Sequence, residues 1–259
     1  MSDTASVNQV SFNKLASDYD ERYRTTIGFL EEQIRKESQG FIGVKQGGRL
    51  LDYACGTGVL TQALGDDLSQ CVGIDISKTM VEAYNAKARV QDLTSDKRCA
   101  HLGNLLVPAD QCPAGLADDK FFNFDIAGVG LGFHHFDDPE LAARRLSERL
   151  GPGGVLFILD LMPHAAKPNS HGVTHNGFSE ERMRKVFEGA GVGRDFRFKV
   201  LEEEIVIKSG GGHGNGHGHS HGHSHGHSHG HSHDHDHGQA HGAERETRHK
   251  VFFARGAKL

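Results

Sequence analysis

Leu51–Leu64 reads LDYACGTGVLTQAL: an apolar run, two glycines separated by one residue, then a helical pattern. With Arg49 and Leu50, RLLDYA supplies a short buried strand, Gly56 and Gly58 a tight turn, and VLTQAL from Val59 the start of a helix. Glycines at such a junction accept positive φ and let the backbone approach a ligand closely. In open α/β sheets, the carboxyl end of a central parallel strand is where ligands bind.

The same unit recurs downstream. CVGID (Cys71–Asp75) reads as a buried strand, Ser77 as a helix cap, and KTMVEAYNAKAR as an amphipathic helix. RCAHL is a weaker third strand and FDIAGVG (Phe124–Gly130) a stronger fourth. Asp138, Pro139 and Glu140 supply a cap, a first-turn proline and an N-terminal negative charge for LAARRLSERL, which Gly151 and Pro152 terminate. VLFILDL (Val155–Leu161) is the fifth strand. Strands alternating with helices predict a mostly parallel sheet covered on both faces. SEERMRKVFEGAG then gives one more helix, and FRFKVLEEEIVIK and HKVFFARG an antiparallel hairpin with a histidine tract between its strands. Before the first strand, Leu15, Tyr19, Tyr23, Ile27, Leu30 and Ile34 follow three- and four-residue steps along one helical face that ends at Gly40 and Gly43.

Composition narrows the possibilities. The chain has 259 residues, with 29 basic against 34 acidic side chains and a formal charge of −5. That balance argues against a partner held through many phosphate contacts, so no nucleic acid is expected. No segment reads as a signal peptide or approaches a membrane span, and a cytoplasmic location is expected. Cys55, Cys71, Cys99 and Cys112 form no CxxC pair and read as free thiols. Thirteen of the 20 histidines lie between His213 and His241. That low-complexity tract lacks apolar residues, cannot form a packed core, and sits at a hairpin tip where loop length costs little. Its alternation can present labile surface ligands for Zn, Ni or Cu at His217, His219, His221, His223, His225, His227, His229, His231, His233, His235 and His237. Nothing there fixes a tetrahedron, so no structural or catalytic metal site is expected. A storage or sensing role competes with a neutral or engineered repeat.

Asp75, at the end of the second strand, is placed to accept two hydrogen bonds from a ribose diol. A nicotinamide site would use the same logic, but its GxGxxG fingerprint would require glycine where this chain has Thr61. Taken together, the motifs resemble the class I S-adenosylmethionine-dependent methyltransferases, in particular the small-molecule, ubiquinone-pathway-like branch. DYACGTG is similar to that family's first motif, VGIDIS to its ribose-binding segment, and FDIAGVGLGFHHFDDPE with RLSERLGPGGVLFILDL to its fourth-strand motif and Pro-Gly-Gly turn. FNKLASDYD resembles its N-terminal lid. The likeness runs from about Phe12 to Lys208 and resumes at Lys250.

The resemblance implies a Rossmann-like three-layer sandwich, with a mostly parallel seven-stranded sheet and an antiparallel C-terminal hairpin. One domain is expected: lid helices at 1–45, a core at 46–208 plus 250–259, and an insertion at 209–249. It also implies S-adenosyl-L-methionine held by Tyr19, Asp52, Ala54, Cys55, Gly56, Thr57, Gly58, Asp75, Ile76, Met80, Asn104, Leu105 and Val129. Two of these depart from the family pattern. Ala54 stands where glycine is usual, and Asn104 stands where an acid is common, with its carbonyl oxygen still able to accept from the adenine amino group.

His134 and His135 follow the fourth strand, where an acceptor should sit, and either could take its proton, orient it or simply line the pocket. His164, His171 and His175 fall in a later loop and carry no assignment. The function implied is methyl transfer to an O, N or C nucleophile of a small-molecule acceptor. The IAGVGLG after Asp125 lacks the Pro-Pro-aromatic motif of enzymes that methylate exocyclic or amide nitrogens. Two alternatives stay open: a metal-binding protein on a catalytically retired methyltransferase scaffold, and a nicotinamide-dependent oxidoreductase.

Overall fold

Seven strands form one sheet in the order β3-β2-β1-β4-β5-β7-β6. The computed structural model describes residues 3–110, 112–166, 172–209 and 245–259. The strands are β1 (Arg49–Tyr53), β2 (Gln70–Asp75), β3 (Arg98–Leu102), β4 (Phe124–Gly130), β5 (Leu150–Leu161), β6 (Arg194–Ser209) and β7 (Arg245–Ala257). β1 to β5 pair in parallel, while β7 runs antiparallel between β5 and β6. The Rossmann-like, mostly parallel sheet and its antiparallel hairpin are therefore as expected.

Alternation along the strands fills both faces. Leu51, Ala127, Ile158 and Phe252 join one core with Leu146 of α6 (Pro139–Arg149) and Phe187 of α7 (Glu180–Gly189). Their neighbours Leu50, Ile126, Phe157 and Phe253 join the other, with Ile34 of α3 (Arg24–Glu37) and Leu64 of α4 (Val59–Leu64). Burial on both sides explains why these strands read as continuous apolar runs. On the side of α3 and α4, α5 (Lys78–Val90) packs Val81 and Tyr84 against Cys55 and Ala100.

Ser77 caps α5 by accepting from the Met80 N–H, and Asp138 caps α6 by accepting from the Leu141 N–H. All four cysteines are free thiols. The N-terminal segment differs from the continuous helical face expected of it. It breaks into α1 (Asp3–Leu15), α2 (Tyr19–Arg22) and α3, followed by a π-turn over Ser38–Ile42. Gly43, at φ +83°, closes that turn. The breaks let α1 fold over the strand ends while α3 packs on the sheet. The hairpin strands also run further into the expected insertion than the pattern indicated, to Ser209 and back from Arg245. The tract from His217 to His237, and His171, lie outside the described residues. Among the described residues, no helix is long and apolar enough to cross a membrane.

Candidate active site

A cavity of about 800 Å³ opens at the carboxyl ends of β1, β2 and β4, beneath α1 to α3. Of the residues expected at the cofactor, Tyr19, Ala54, Cys55, Gly56, Thr57, Asp75, Ile76, Met80 and Asn104 line it, as do both His134 and His135. Asp52, Gly58, Leu105 and Val129 do not; they stand behind the wall.

The wall begins with the glycine turn. Ala54, Gly56 and Gly58 all have positive φ, at +51°, +51° and +98°. A Cβ at Gly58 would lie 2.9 Å from the Tyr84 ring, so packing as well as conformation excludes a side chain there. At Gly56 a Cβ would meet only open space, leaving room for a ligand against the backbone. Ala54 accepts the left-handed conformation that glycine would adopt freely, at a cost of about 1–2 kcal/mol.

Asp75 is 8% exposed. One of its carboxylate oxygens accepts from the Gly56 N–H and the other from the Ser77 N–H, each at 2.8 Å. Burial raises its pKa, and the backbone N–H groups of Ser77, Gly56 and Ile76 pull it part of the way back. The carboxylate thus ties the ends of β1 and β2 together. Asp52 works from below. Its Oδ2 accepts from the Thr61 N–H at 3.2 Å and the Thr61 hydroxyl at 2.8 Å, and that hydroxyl also meets the Tyr84 hydroxyl at 2.9 Å. Thr61, the residue that departs from the nicotinamide fingerprint, is therefore the partner of the first-strand acid. Burial pushes Asp52 up to about 7 despite the Thr61 hydrogen bonds.

Asn104 requires a correction. Its carbonyl oxygen, expected to serve adenine, already accepts from the Leu106 N–H at 2.8 Å and the Tyr53 hydroxyl at 3.2 Å. Both lone pairs are occupied, so the amide nitrogen is the group it can still offer to a ligand. Tyr53, which sets this orientation and also accepts from the Leu105 N–H, carried no sequence signal beyond its place beside Asp52.

The N-terminal helices α1 and α2 are docked on this frame. Gln9 donates to the Ile76 carbonyl at 2.7 Å, and the Ser77 hydroxyl donates to Asn13 at 2.8 Å. Asp20 bridges the turn and α5, accepting from the Thr57 hydroxyl at 2.7 Å and pairing with Lys87 at 2.8 Å. Tyr19 packs against Tyr23 at 4.9 Å between ring centroids, and burial raises its phenol. Thr57→Val should loosen the docking of α1 and α2 by about 1 kcal/mol, the worth of one ordinary hydrogen bond. Hydrogen exchange across residues 5–22 should speed up several-fold; unchanged protection would show that the Thr57–Asp20 contact does not hold this segment.

The adjacent histidines have different surroundings. His134 Nδ1 lies 2.8 Å from Asp160 Oδ1. Asp160 also accepts from the backbone N–H groups of Phe133, His134 and Leu161. Burial would raise the Asp160 carboxyl, but the His134 ring and these donors outweigh it and hold the carboxyl below its usual value. Asp160 was missed by sequence reasoning, although a single carboxylate inside VLFILDL was the available signal. His135 Nδ1 instead meets the Gly172 carbonyl at 2.7 Å, which also accepts from Asn8 of α1. Its ring makes an edge contact with Phe12 of α1 at 5.4 Å. Burial, with His134 alongside, pushes His135 down to about 4 and leaves it neutral.

His164 and His249 line the same cavity with ring centroids 4.5 Å apart. His175 does not line it; its ring packs on Phe178, and its N–H donates to the His134 carbonyl. Ile27, Leu30, Leu161 and Ile207 add apolar wall, and no Lys or Arg lines the cavity among the described residues. No cluster of three or more His, Cys, Asp or Glu that could hold a metal ion occurs among them either.

This architecture has relatives. The chain is 33% identical over 157 residues to the uncharacterized methyltransferase C1347.09 of Schizosaccharomyces pombe, covering 56% of this chain and 54% of that protein. It is 28% identical over 154 residues to the demethylmenaquinone methyltransferase of Staphylococcus haemolyticus, covering 58% of each. The chain thus spans little more than half the length of these curated relatives. The solved structure of phosphoethanolamine N-methyltransferase 2 from Haemonchus contortus, in complex with S-adenosyl-L-methionine, shares the fold at a TM-score of 0.50. It is 18% identical, covering 66% of this chain and 38% of that one. Residues 20–192 match the family model described as a methyltransferase domain. With that match and with Asp75 and the glycine turn on one cavity wall, the chain belongs to the class I S-adenosylmethionine-dependent methyltransferases.

Proposed function

We propose that this chain transfers the methyl group of S-adenosyl-L-methionine to a nucleophile of a small acceptor without an anionic group. The observation that carries this reading is the pairing of Gly56 and Asp75 on the cavity wall: an open approach to backbone beside a buried carboxylate. The residues present fit the donor. Asp75 would take the ribose hydroxyls, the turn from Ala54 to Thr57 the amino-acid portion, Ile76 and Met80 the faces of the adenine, and the Asn104 amide a ring nitrogen. Asp52 and Gly58 support the turn from behind, Leu105 and Val129 back the adenine and acceptor walls, and Tyr19 closes the lid side.

When bound, the donor supplies an electrophilic methyl on a sulfonium. The chain's own part is to hold the acceptor in line and to exclude water, and orientation of that kind can lower a barrier by about 7–11 kcal/mol. A lining without Lys or Arg disfavours an anionic acceptor, because a buried phosphate or carboxylate would have no Lys or Arg partner among the described residues. Calorimetric titration with S-adenosylhomocysteine and with NADH tests the reading. Binding of the first alone is expected; binding of NADH alone would overturn it in favour of the nicotinamide alternative.

The histidine tract is read as independent of this chemistry. Deleting residues 213–241 should remove zinc and nickel uptake while leaving S-adenosylhomocysteine affinity within twofold. A large loss of cofactor affinity would instead show that the tract and the cofactor site are coupled.

A further inference from the structure

The structure assigns Asp160 as a positioning residue that fixes His134 as the proton-accepting group of the cavity. This inference rests on the methyl-transfer reading for its chemistry, but not for its geometry. An ionised carboxylate can only accept, so the 2.8 Å contact between His134 Nδ1 and Asp160 Oδ1 places the proton on Nδ1. In the neutral ring Nε2 then carries the lone pair, and His134 borders the cavity.

Asp160 is itself fully buried and held by three backbone N–H groups, two of them from the turn that carries His134. One carboxylate thus sets the backbone of the turn, the orientation of the ring and its tautomer. The loop that follows clamps the same residue from the other side, since the Thr174 N–H and hydroxyl and the His175 N–H all donate to the His134 carbonyl.

The neighbouring imidazole serves differently. His135 shares the Gly172 carbonyl with Asn8 and touches Phe12, so it is a neutral strut between lid and turn. The titratable groups around His134 are Asp160 from β5, His135 alongside, His175 from the clamping loop, and Asp137 and Asp138 on the turn that follows it. Among the described residues, only Asp160 contacts its ring nitrogen.

In the step this geometry serves, an acceptor O–H gives its proton to His134 Nε2 and keeps the bonding pair on oxygen. That pair forms the bond to the methyl carbon as the carbon–sulfur bond breaks and its electrons neutralise the sulfonium. The imidazolium left behind is offset by the Asp160 carboxylate, with no further reactant needed.

The test is long-range ¹H–¹⁵N correlation NMR of the imidazoles in the full-length protein, with His134 identified by its loss in His134→Gln. In the wild type, the neutral His134 should carry its proton on Nδ1. In Asp160→Ala the ring, deprived of that acceptor, should populate both neutral tautomers. A proton on Nε2 in the wild type would overturn the proposal, and that measurement needs no variant to fold. A tautomer still fixed on Nδ1 in a folded Asp160→Ala protein would overturn it equally. Failure of the wild type to bind S-adenosylhomocysteine would count against the methyl-transfer reading and leave the dyad's tautomer to be judged separately.

Discussion

Asp75→Ala is expected to weaken S-adenosylhomocysteine binding by about tenfold to a hundredfold, the loss of roughly 1.5–3 kcal/mol for a charged hydrogen-bonding contact. The effect has two sources. A ligand diol loses its acceptor, and the N–H groups of Gly56 and Ser77 lose the oxygens that hold them at 2.8 Å. Asp75→Asn separates them in part: it removes the charge offered to the ligand and keeps an acceptor oxygen for one of the two N–H groups, while its NH2 faces the other. Calorimetry on both variants should show an intermediate loss for Asn. Wild-type affinity in the alanine variant would remove the ribose assignment.

Asp52→Asn should make the protein more stable at pH 8 and leave it nearly unchanged at pH 4. Burial raises the folded-state pKa of Asp52 from 3.8 to about 7. Across that window the folded chain holds a proton that the unfolded chain releases, so stability falls as pH rises. Above pH 7 the accumulated cost of ionising Asp52 approaches a ceiling of about 4 kcal/mol. Asparagine needs no ionisation and retains an oxygen for the N–H and hydroxyl of Thr61. Thermal unfolding from pH 4 to 8 should show the midpoints diverging, by about 2–4 °C per kcal/mol for a domain of this size. A variant less stable than wild type at pH 8 would show that the carboxylate is held charged by its surroundings.

The two acids sit on adjacent strands and differ through their partners. Asp75 receives backbone N–H groups beside the cavity, which suits it to a ligand; Asp52 receives a threonine behind the wall, which suits it to holding the turn. Both were legible as acids in the first two strands. Their division of labour was not, because it depends on which groups the folded chain brings against each carboxylate.

Local pattern was enough to reveal the alternating strands and helices, the caps at Ser77 and Asp138, the glycine turn, and the antiparallel end of the sheet. Each follows from short-range sterics, hydrogen-bonding preference or the periodicity of apolar side chains. Tertiary structure alone decided that the N-terminal face breaks into three helices, that the Asn104 oxygen accepts from the Tyr53 hydroxyl, and that Asp160 meets His134 Nδ1. The Tyr53–Asn104 and His134–Asp160 contacts span 51 and 26 positions, and the contacts of Asp20, Asn13 and Gln9 with Thr57, Ser77 and Ile76 span 37 to 67. No local signal encodes such a meeting; only packing of the strands side by side brings the groups within hydrogen-bond distance.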